Sequence, residues 1–226
     1  MCRDSAGKWF LFSTGVGIPI RTSTDRINWT LVGTVWSPGQ ATWITHTQAE
    51  LIRISGHPIV HTRTGNSTRN SAIFFAKSST GLPGSWSHQG QVLATSTSND
   101  YNAIDPNLII DGNNWWLTFG SYWSGIKLVQ LSPSTGKPSS STVYSIAKRT
   151  AGGGAVEAPI LAPKMNNFHY TGTLILSTHD SIIGPGGQHV YKDSDAWVID
   201  YHYYTSTGSL LGINLLDFSS GWPVLY

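Results

Sequence analysis

The chain is 226 residues long and has a formal net charge of +2, and only 12% of its residues are charged, whereas about 25% is usual for a globular domain. This length predicts a single domain, residues 1–226. No apolar run approaches the roughly 20 residues of a membrane span, and no basic run is typical of a nucleic-acid contact. Cys2 is the only cysteine, which excludes an internal disulfide and a cysteine-based zinc site. We therefore expect a monomer with a neutral partner, neither nucleic acid nor membrane.

Short apolar runs alternate with turn residues, and no segment keeps a helical apolar period over a dozen positions. This pattern predicts an all-β fold with many hairpins. The predicted strands are, in chain order, 9–13, 29–35, 72–77, 107–110, 115–119, 126–131, 155–161, 187–192, 196–204 and 210–217. Residues 37–70 show no clean alternation, and residues 162–172 form only a short irregular link.

An aromatic strand followed by a turn recurs along the chain, at residues 9–15, 115–121 and 201–204. The blades of a β-propeller are about 40–50 residues long, so 226 residues correspond to about five blades at most. Small residues at the ends of such strands suit the narrow channel on which the inner strands of a propeller converge. The recurrence therefore favours a β-propeller, of about five blades at most, over a sandwich or a barrel.

Two carboxylates are candidates for chemistry. Pro106 predicts an extended backbone at Asp105, and the apolar neighbours of Glu157 are expected to desolvate its carboxyl group and raise its pKa. The two residues are 52 positions apart, about one blade, so they are expected to be neighbours in a propeller. Paired carboxylates in different environments are the minimal equipment of a glycosidase. The alternative is that Asp105 caps a turn and Glu157 pairs with a buried arginine.

Aromatic side chains near these carboxylates suit a sugar, because they offer flat apolar faces to the C–H surface of a neutral ring. These aromatic residues are Trp115, Trp116, Phe119, Tyr122 and Trp123. Some of them are expected to belong to the core instead. His202 is predicted to be buried between Tyr201 and Tyr203, as a core residue or as a ligand.

Six motifs occur in a fixed order: residues 101–107 (YNAIDPN), 119–126 (FGSYWSGI), 155–159 (AVEAP), 184–188 (GPGGQ), 201–204 (YHYY) and 217–224 (DFSSGWPV). Together they resemble the arabinan endo-1,5-α-L-arabinosidases of glycoside hydrolase family 43. The resemblance covers residues 3–35, 71–161 and 173–226.

This resemblance implies a five-bladed propeller that hydrolyses internal α-1,5-L-arabinofuranosidic bonds of arabinan with inversion. Glu157 matches the general acid, and Asp105 matches the carboxylate that raises the pKa of that acid and orients it. His202 matches the histidine beside a metal ion, usually calcium, in the channel. The residues that match the sugar subsites are Asn102, Ala103, Ile104, Gly120, Ser121, Tyr122 and Trp123.

The chain departs from the family pattern in three places. The general base of the family is the aspartate of a His-Asp-Pro motif before the first aromatic strand, and this chain has only Asp4 nearby, without the motif. Residues 43–70 do not resemble the family. The short link 162–172 leaves room for little of the fourth blade. We therefore expect an incomplete propeller, lacking the N-terminal segment and most of blade four, that folds poorly and hydrolyses linear arabinan negligibly.

Two other functions stay open at this stage. A propeller that kept its sugar subsites and lost its base would bind arabinan without cleaving it. An exo-acting arabinofuranosidase or xylosidase would share the fold, although the motifs at 184–188 and 217–222 favour the endo-acting enzymes. Residues 1–20 contain no secretion signal, whereas the resemblance implies a secreted full-length protein, so the chain is expected to derive from a truncated or faulty gene model.

Overall fold

The computed structural model describes residues 1–41, 49–54, 57–63, 69–151, 154–160, 174–194 and 196–226. These residues form sixteen β-strands and no α-helix, which confirms the all-β class. Within the described part of the chain, no helix has the length and apolar character needed to cross a membrane.

The strands fall into four groups of four along the chain. The first group is β1 Cys2–Arg3, β2 Trp9–Phe12, β3 Pro19–Ser23 and β4 Thr30–Thr34. The second is β5 Ala49–Ile54, β6 His57–Arg63, β7 Ser71–Ser78 and β8 Trp86–Thr95. The third is β9 Asn107–Asp111, β10 Asn114–Phe119, β11 Ile126–Leu131 and β12 Tyr144–Ala147. The fourth is β13 Ile183–Lys192, β14 Trp197–Thr205, β15 Gly208–Asp217 and β16 Val224–Leu225.

Each group is one antiparallel sheet in which every strand pairs with its neighbour in the sequence. A four-stranded meander of this kind is the blade of a β-propeller. The first three sheets belong to one compact unit, residues 1–161, and the fourth belongs to a second unit, residues 162–226.

Nine of the ten predicted strands coincide with observed strands, and the predicted strand 155–161 is wrong over its described residues. Residues 155–160 form no strand, because Ala158 has a φ of 50° and Pro159 has no amide hydrogen to donate to a sheet. Conversely, β5 and β6 form within the stretch 37–70, where the sequence shows no clean alternation.

The core of the first unit lies between successive sheets. Ile73 and Phe75 of β7 pack with Leu117 and Phe119 of β10, and all four are at most 1% exposed. A second cluster joins the first sheet to the second, through residues that include Phe10, Ile20 and Trp86. Ala103, which precedes β9, is fully buried in the first of these clusters. The connection into the third sheet is therefore anchored in the core.

Gly125 lies where β11 begins, and its φ of 83° is left-handed. A β-carbon there would overlap the carbonyl oxygen of Ala147, whereas one at Gly84, whose φ is 79°, would meet nothing within 4 Å. We expect Gly84→Ala to lower the free energy of unfolding by about 1–2 kcal/mol through its backbone alone. Gly125→Ala is expected to lower it by about 1–3 kcal/mol more, because it adds overpacking.

Urea unfolding followed by tryptophan fluorescence measures the free energy of unfolding of both variants. Gly84→Ala is the matched control, because both glycines have a similar left-handed φ. Equal losses in the two variants would show that Ala147 does not restrict position 125.

Candidate active site

Three segments of the first unit meet beside the third sheet: residues 100–105 before β9, residues 120–125 between β10 and β11, and residues 154–160. The Gly120 amide donates a hydrogen bond to the Ile104 carbonyl at 2.7 Å. The Tyr122 amide donates to the Val156 carbonyl at 2.8 Å. These backbone bonds hold all three motif-bearing segments at one place.

Asp105 is tied to the segment that carries Glu157. The Ala158 amide donates to Oδ2 of Asp105 at 3.2 Å, and Glu157 is the adjacent residue. Asp105 has a φ of 51°, so the predicted extended backbone at this position is wrong. Asp105 and Ala158 each precede a proline and each adopt the left-handed conformation, in which the hydrogen bond between them forms.

Backbone strain is concentrated in these segments. Among the described residues, seven that are not glycine have a positive φ, and four of them lie here: Asp105, Tyr122, Trp123 and Ala158. Such conformations cost of order 1–3 kcal/mol each, and they persist only where the surrounding contacts enforce them. Because strained backbone tends to occur at active sites and ligand clamps, the clustering makes this place a candidate functional site.

The predicted subsite residues divide into buried and exposed sets. Asn102 is fully buried, and its side chain accepts from the Ser121 amide at 2.7 Å and donates to Oγ of Ser121 at 3.0 Å. Ala103, Gly120 and Ser121 are also buried, whereas Ile104 is half-buried. The buried residues hold the two loops together, so they support the surface rather than offering side chains to a polymer.

Two hydroxyl groups that sequence reasoning missed hold Ala103. Oγ of Ser71 accepts from the Ala103 amide at 2.8 Å, and Oγ1 of Thr95 accepts from it at 3.0 Å. Both side chains are buried, at the first residue of β7 and the last residue of β8. The sequence could not identify these two residues, because serine and threonine are common at strand ends next to turns.

Tyr122 and Trp123 are the exposed members of the predicted set, at 39% and 41%. Their rings meet edge to face, with centroids 6.4 Å apart, and the Arg69 guanidinium lies over the Trp123 ring at 6.0 Å. Two exposed apolar ring faces beside a carboxylate pair suit the C–H surface of a sugar. The other aromatic candidates lie elsewhere, since Trp115 and Phe119 are buried in the core and Trp116 is half-buried.

Glu157 is exposed, so the prediction that its apolar neighbours bury it is wrong. Val156 and Ala158 are half-buried, and Ala158 has a positive φ. Among the described residues no arginine forms an ion pair with Glu157, so the structural alternative of a buried arginine partner has no support. An exposed carboxyl group is accessible to a polymeric substrate.

His202 lies in β14 of the second unit and is half-buried rather than buried. Gly186 pairs with it across the sheet, and a β-carbon at Gly187 would come within 2.7 Å of its Nδ1, so the glycines make room for the imidazole ring. Nowhere in the described ranges do three or more His, Cys, Asp or Glu side chains gather as a metal site. The calcium ion therefore stays a prediction, and no step proposed below depends on it.

Asp4 occupies the turn between β1 and β2. Its Oδ1 accepts from the Lys8 amide at 2.8 Å, and its carbonyl accepts from the Gly7 amide at 3.1 Å. These are the contacts of a carboxylate that closes a turn. That Asp4 does not take the role of the general base stays a prediction.

Two motif carboxylates on hydrogen-bonded segments, exposed aromatic rings on the adjoining loop and sheets of propeller type are features expected of a glycoside hydrolase. The family model described as "Glycosyl hydrolases family 43" matches residues 1–168, and the chain belongs to this family.

Named relatives and solved structures match nearly the whole chain. The extracellular endo-α-(1→5)-L-arabinanase 1 of Bacillus subtilis is 30% identical, over 95% of this chain and 83% of its own length. The endo-arabinanase of Bacillus licheniformis superposes with a TM-score of 0.80 at 28% identity and covers 98% of this chain and 94% of its own. An exo-1,5-α-L-arabinanase from a bovine ruminal metagenomic library superposes with a TM-score of 0.82 at 27% identity and covers 100% of this chain and 95% of its own.

The alignment with the Bacillus subtilis relative spans 273 residues, whereas this chain has 226, a difference of 47. At least 47 aligned positions of the relative therefore have no counterpart in this chain. The sequence likewise departs from the family pattern by having only a short link at residues 162–172.

Proposed function

We propose that this chain acts on arabinan and hydrolyses internal α-1,5-L-arabinofuranosidic bonds with inversion. The observation that carries the proposal is the hydrogen bond from the Ala158 amide to Asp105, because it joins the segment that carries Glu157 to the other motif carboxylate within a family 43 chain. The named relatives that are arabinanases give the substrate class.

In the proposed reaction Glu157 is the general acid. Its exposed carboxyl group protonates the glycosidic oxygen of the leaving chain as the bond to the anomeric carbon breaks. Asp105 positions the segment that carries Glu157. Tyr122 and Trp123 receive the apolar faces of arabinose units, so that the bond to be cleaved lies over the carboxylates.

An inverting hydrolase also needs a carboxylate base, about 6.5–9.5 Å from the acid, to activate water. Asp4 is engaged in a turn, and residues 1–226 contain no His-Asp-Pro sequence. Turnover by this chain is therefore expected to be slow. The same observation favours a second candidate function, binding of arabinan without hydrolysis.

We also propose that the chain represents a five-bladed propeller that lacks most of one blade. The described residues contain four blade-like sheets, and the relative aligned over 273 residues has at least 47 positions without a counterpart here. The proposal includes secretion of the protein, because the Bacillus subtilis relative is named as extracellular.

Incubation with debranched linear arabinan tests the proposed function. We expect the chain to bind the polymer and to lower its viscosity slowly, with oligosaccharides of mixed length as early products. Arabinose or one short oligosaccharide as the sole early product would instead show an exo-acting enzyme. Binding without any cleavage would support the second candidate, and no binding at all would contradict both.

A further inference from the structure

Lys127 is a buried cation close to the candidate site. It is the second residue of β11 and is only 3% exposed. Burial of an ammonium group is costly unless the group is hydrogen-bonded, so a buried lysine in an apolar strand needs a structural or functional reason. Burial lowers the pKa of Lys127, with a smaller opposing effect from Asp100.

The contacts of Lys127 join three parts of the site. Its Nζ donates to the Ser124 carbonyl at 3.0 Å and to Oγ of Ser145 in β12 at 2.9 Å. The same nitrogen lies 5.3 Å from the centroid of the Tyr101 ring. Tyr101 is the residue that precedes the buried Asn102 in the sequence. A single ammonium group therefore contacts three elements: the loop of residues 121–125 that carries Tyr122 and Trp123 (the aromatic loop), strand β12, and the segment that leads to Asp105.

The loop that Lys127 holds is the strained one. Tyr122 and Trp123 are consecutive non-glycine residues with φ values of 50° and 40°. The Gly125 amide donates to the Tyr122 carbonyl at 2.6 Å, and the Ser124 amide donates to the Asp100 carbonyl at 3.0 Å. The ammonium group adds a charge-assisted bond at the one carbonyl between these two donors, which favours the left-handed turn over a relaxed one.

We propose that Lys127 is a positioning residue that fixes the left-handed turn at residues 121–125 and thereby presents Tyr122 and Trp123 to the sugar chain. The inference rests on the proposed function for the identity of the ligand, but the effect on the loop does not depend on it. Loss of the ammonium group allows the turn to relax, so the two rings leave the orientation in which they meet a substrate.

Lys137 provides a matched control. Its Nζ donates to the Gln91 carbonyl at 2.6 Å, and burial lowers its pKa as well, but no contact joins it to residues 120–125 among the described residues. Lys127→Met and Lys137→Met each remove an ammonium group that donates to a backbone carbonyl of the same unit, although Lys127 is buried and Lys137 is half-buried. Only the first removes support from the loop of residues 121–125.

Hydrogen exchange measured by mass spectrometry on a peptide covering residues 119–126 tests the loop directly. We expect Lys127→Met to exchange at least about tenfold faster there than Lys137→Met, and we expect its Kd for arabinohexaose to be about tenfold higher. Exchange and affinity equal to those of Lys137→Met would overturn the proposal. If Lys127→Met does not fold, Lys127→Gln and Lys137→Gln replace the pair, since glutamine keeps a donor without the charge.

The two readouts separate this inference from the proposed function. A native chain that does not bind arabinohexaose contradicts the proposed function, and hydrogen exchange alone then decides the role of Lys127. Faster exchange with unchanged affinity overturns the claim that the loop presents the rings to the sugar.

Discussion

Glu157→Gln is expected to lower the rate of arabinan hydrolysis by about 10²–10⁴-fold, which is the usual contribution of a general acid. Glutamine has nearly the same shape as glutamate but has no proton to give to the leaving oxygen. Because the side chain is exposed and the Ala158–Asp105 hydrogen bond involves only the neighbouring backbone, the fold should not change. The measurement is product formation from a fluorescently labelled arabino-oligosaccharide over long incubation, since slow turnover is expected.

Two controls test whether the loss of rate in Glu157→Gln comes from the lost proton donation. The Kd for arabinohexaose should stay within about twofold of the native value, because the proton acts only as the bond breaks. A substrate with an aryl leaving group of low basicity should lose less than about tenfold, because its departure needs little protonation. Equal losses on both substrates would show that Glu157 does not act as the general acid.

Two substitutions at Asp105 separate its charge from its hydrogen bond. Asp105→Asn keeps an oxygen for the Ala158 amide and suits the left-handed backbone, which asparagine tolerates well. Asp105→Ala removes the bond and leaves a residue that disfavours this conformation. We expect Asp105→Asn to lower turnover by at least about tenfold, which corresponds to about 1.4 kcal/mol, without loss of stability.

Asp105→Ala is expected to lower turnover by about 10²-fold through misplacement of the segment that carries Glu157. It should also lower the free energy of unfolding by about 1 kcal/mol for the lost hydrogen bond. Turnover on labelled oligosaccharide and urea unfolding measure the two effects. Asp111→Asn is the matched control, because Asp111 is an exposed aspartate at the far end of β9. Native turnover in Asp105→Asn would show that the charge has no role.

Much of the fold could be predicted because strands have a strong local signal. β7 is buried at its first six residues, and the apolar and aromatic residues of β10, β11 and β14 likewise form short runs between turn residues, so the pattern carries the positions of these strands directly. Strands with mixed or exposed faces were harder: β12 is exposed at all four residues and has no alternation to detect. The prediction of a strand at residues 155–160 is wrong, because an apolar run flanked by turn residues also describes a half-buried coil.

The candidate site was predicted in its residues but not in its geometry. The motifs identify Asp105, Glu157 and the aromatic pair, since the chemistry of a glycosidase needs those residue types. The conformation of Asp105 could not be derived, because the steric preference imposed by Pro106 is local, whereas the bond from Ala158 comes from 53 residues further along the chain. Lys127 is recognisable in the sequence as a lysine between apolar strand residues. The sequence does not show which groups accept its hydrogen bonds.

The low charge and the alternation of apolar and turn residues are properties of the sequence alone, and they determine an all-β chain suited to a neutral partner. Membership of a glycoside hydrolase family likewise follows from the order of short motifs. Only the tertiary structure decided that Glu157 is exposed, that Asp105 and Ala158 are left-handed, and that Lys127 is buried. These properties depend on contacts between segments distant in sequence, whose combined energy exceeds the local preferences of each residue.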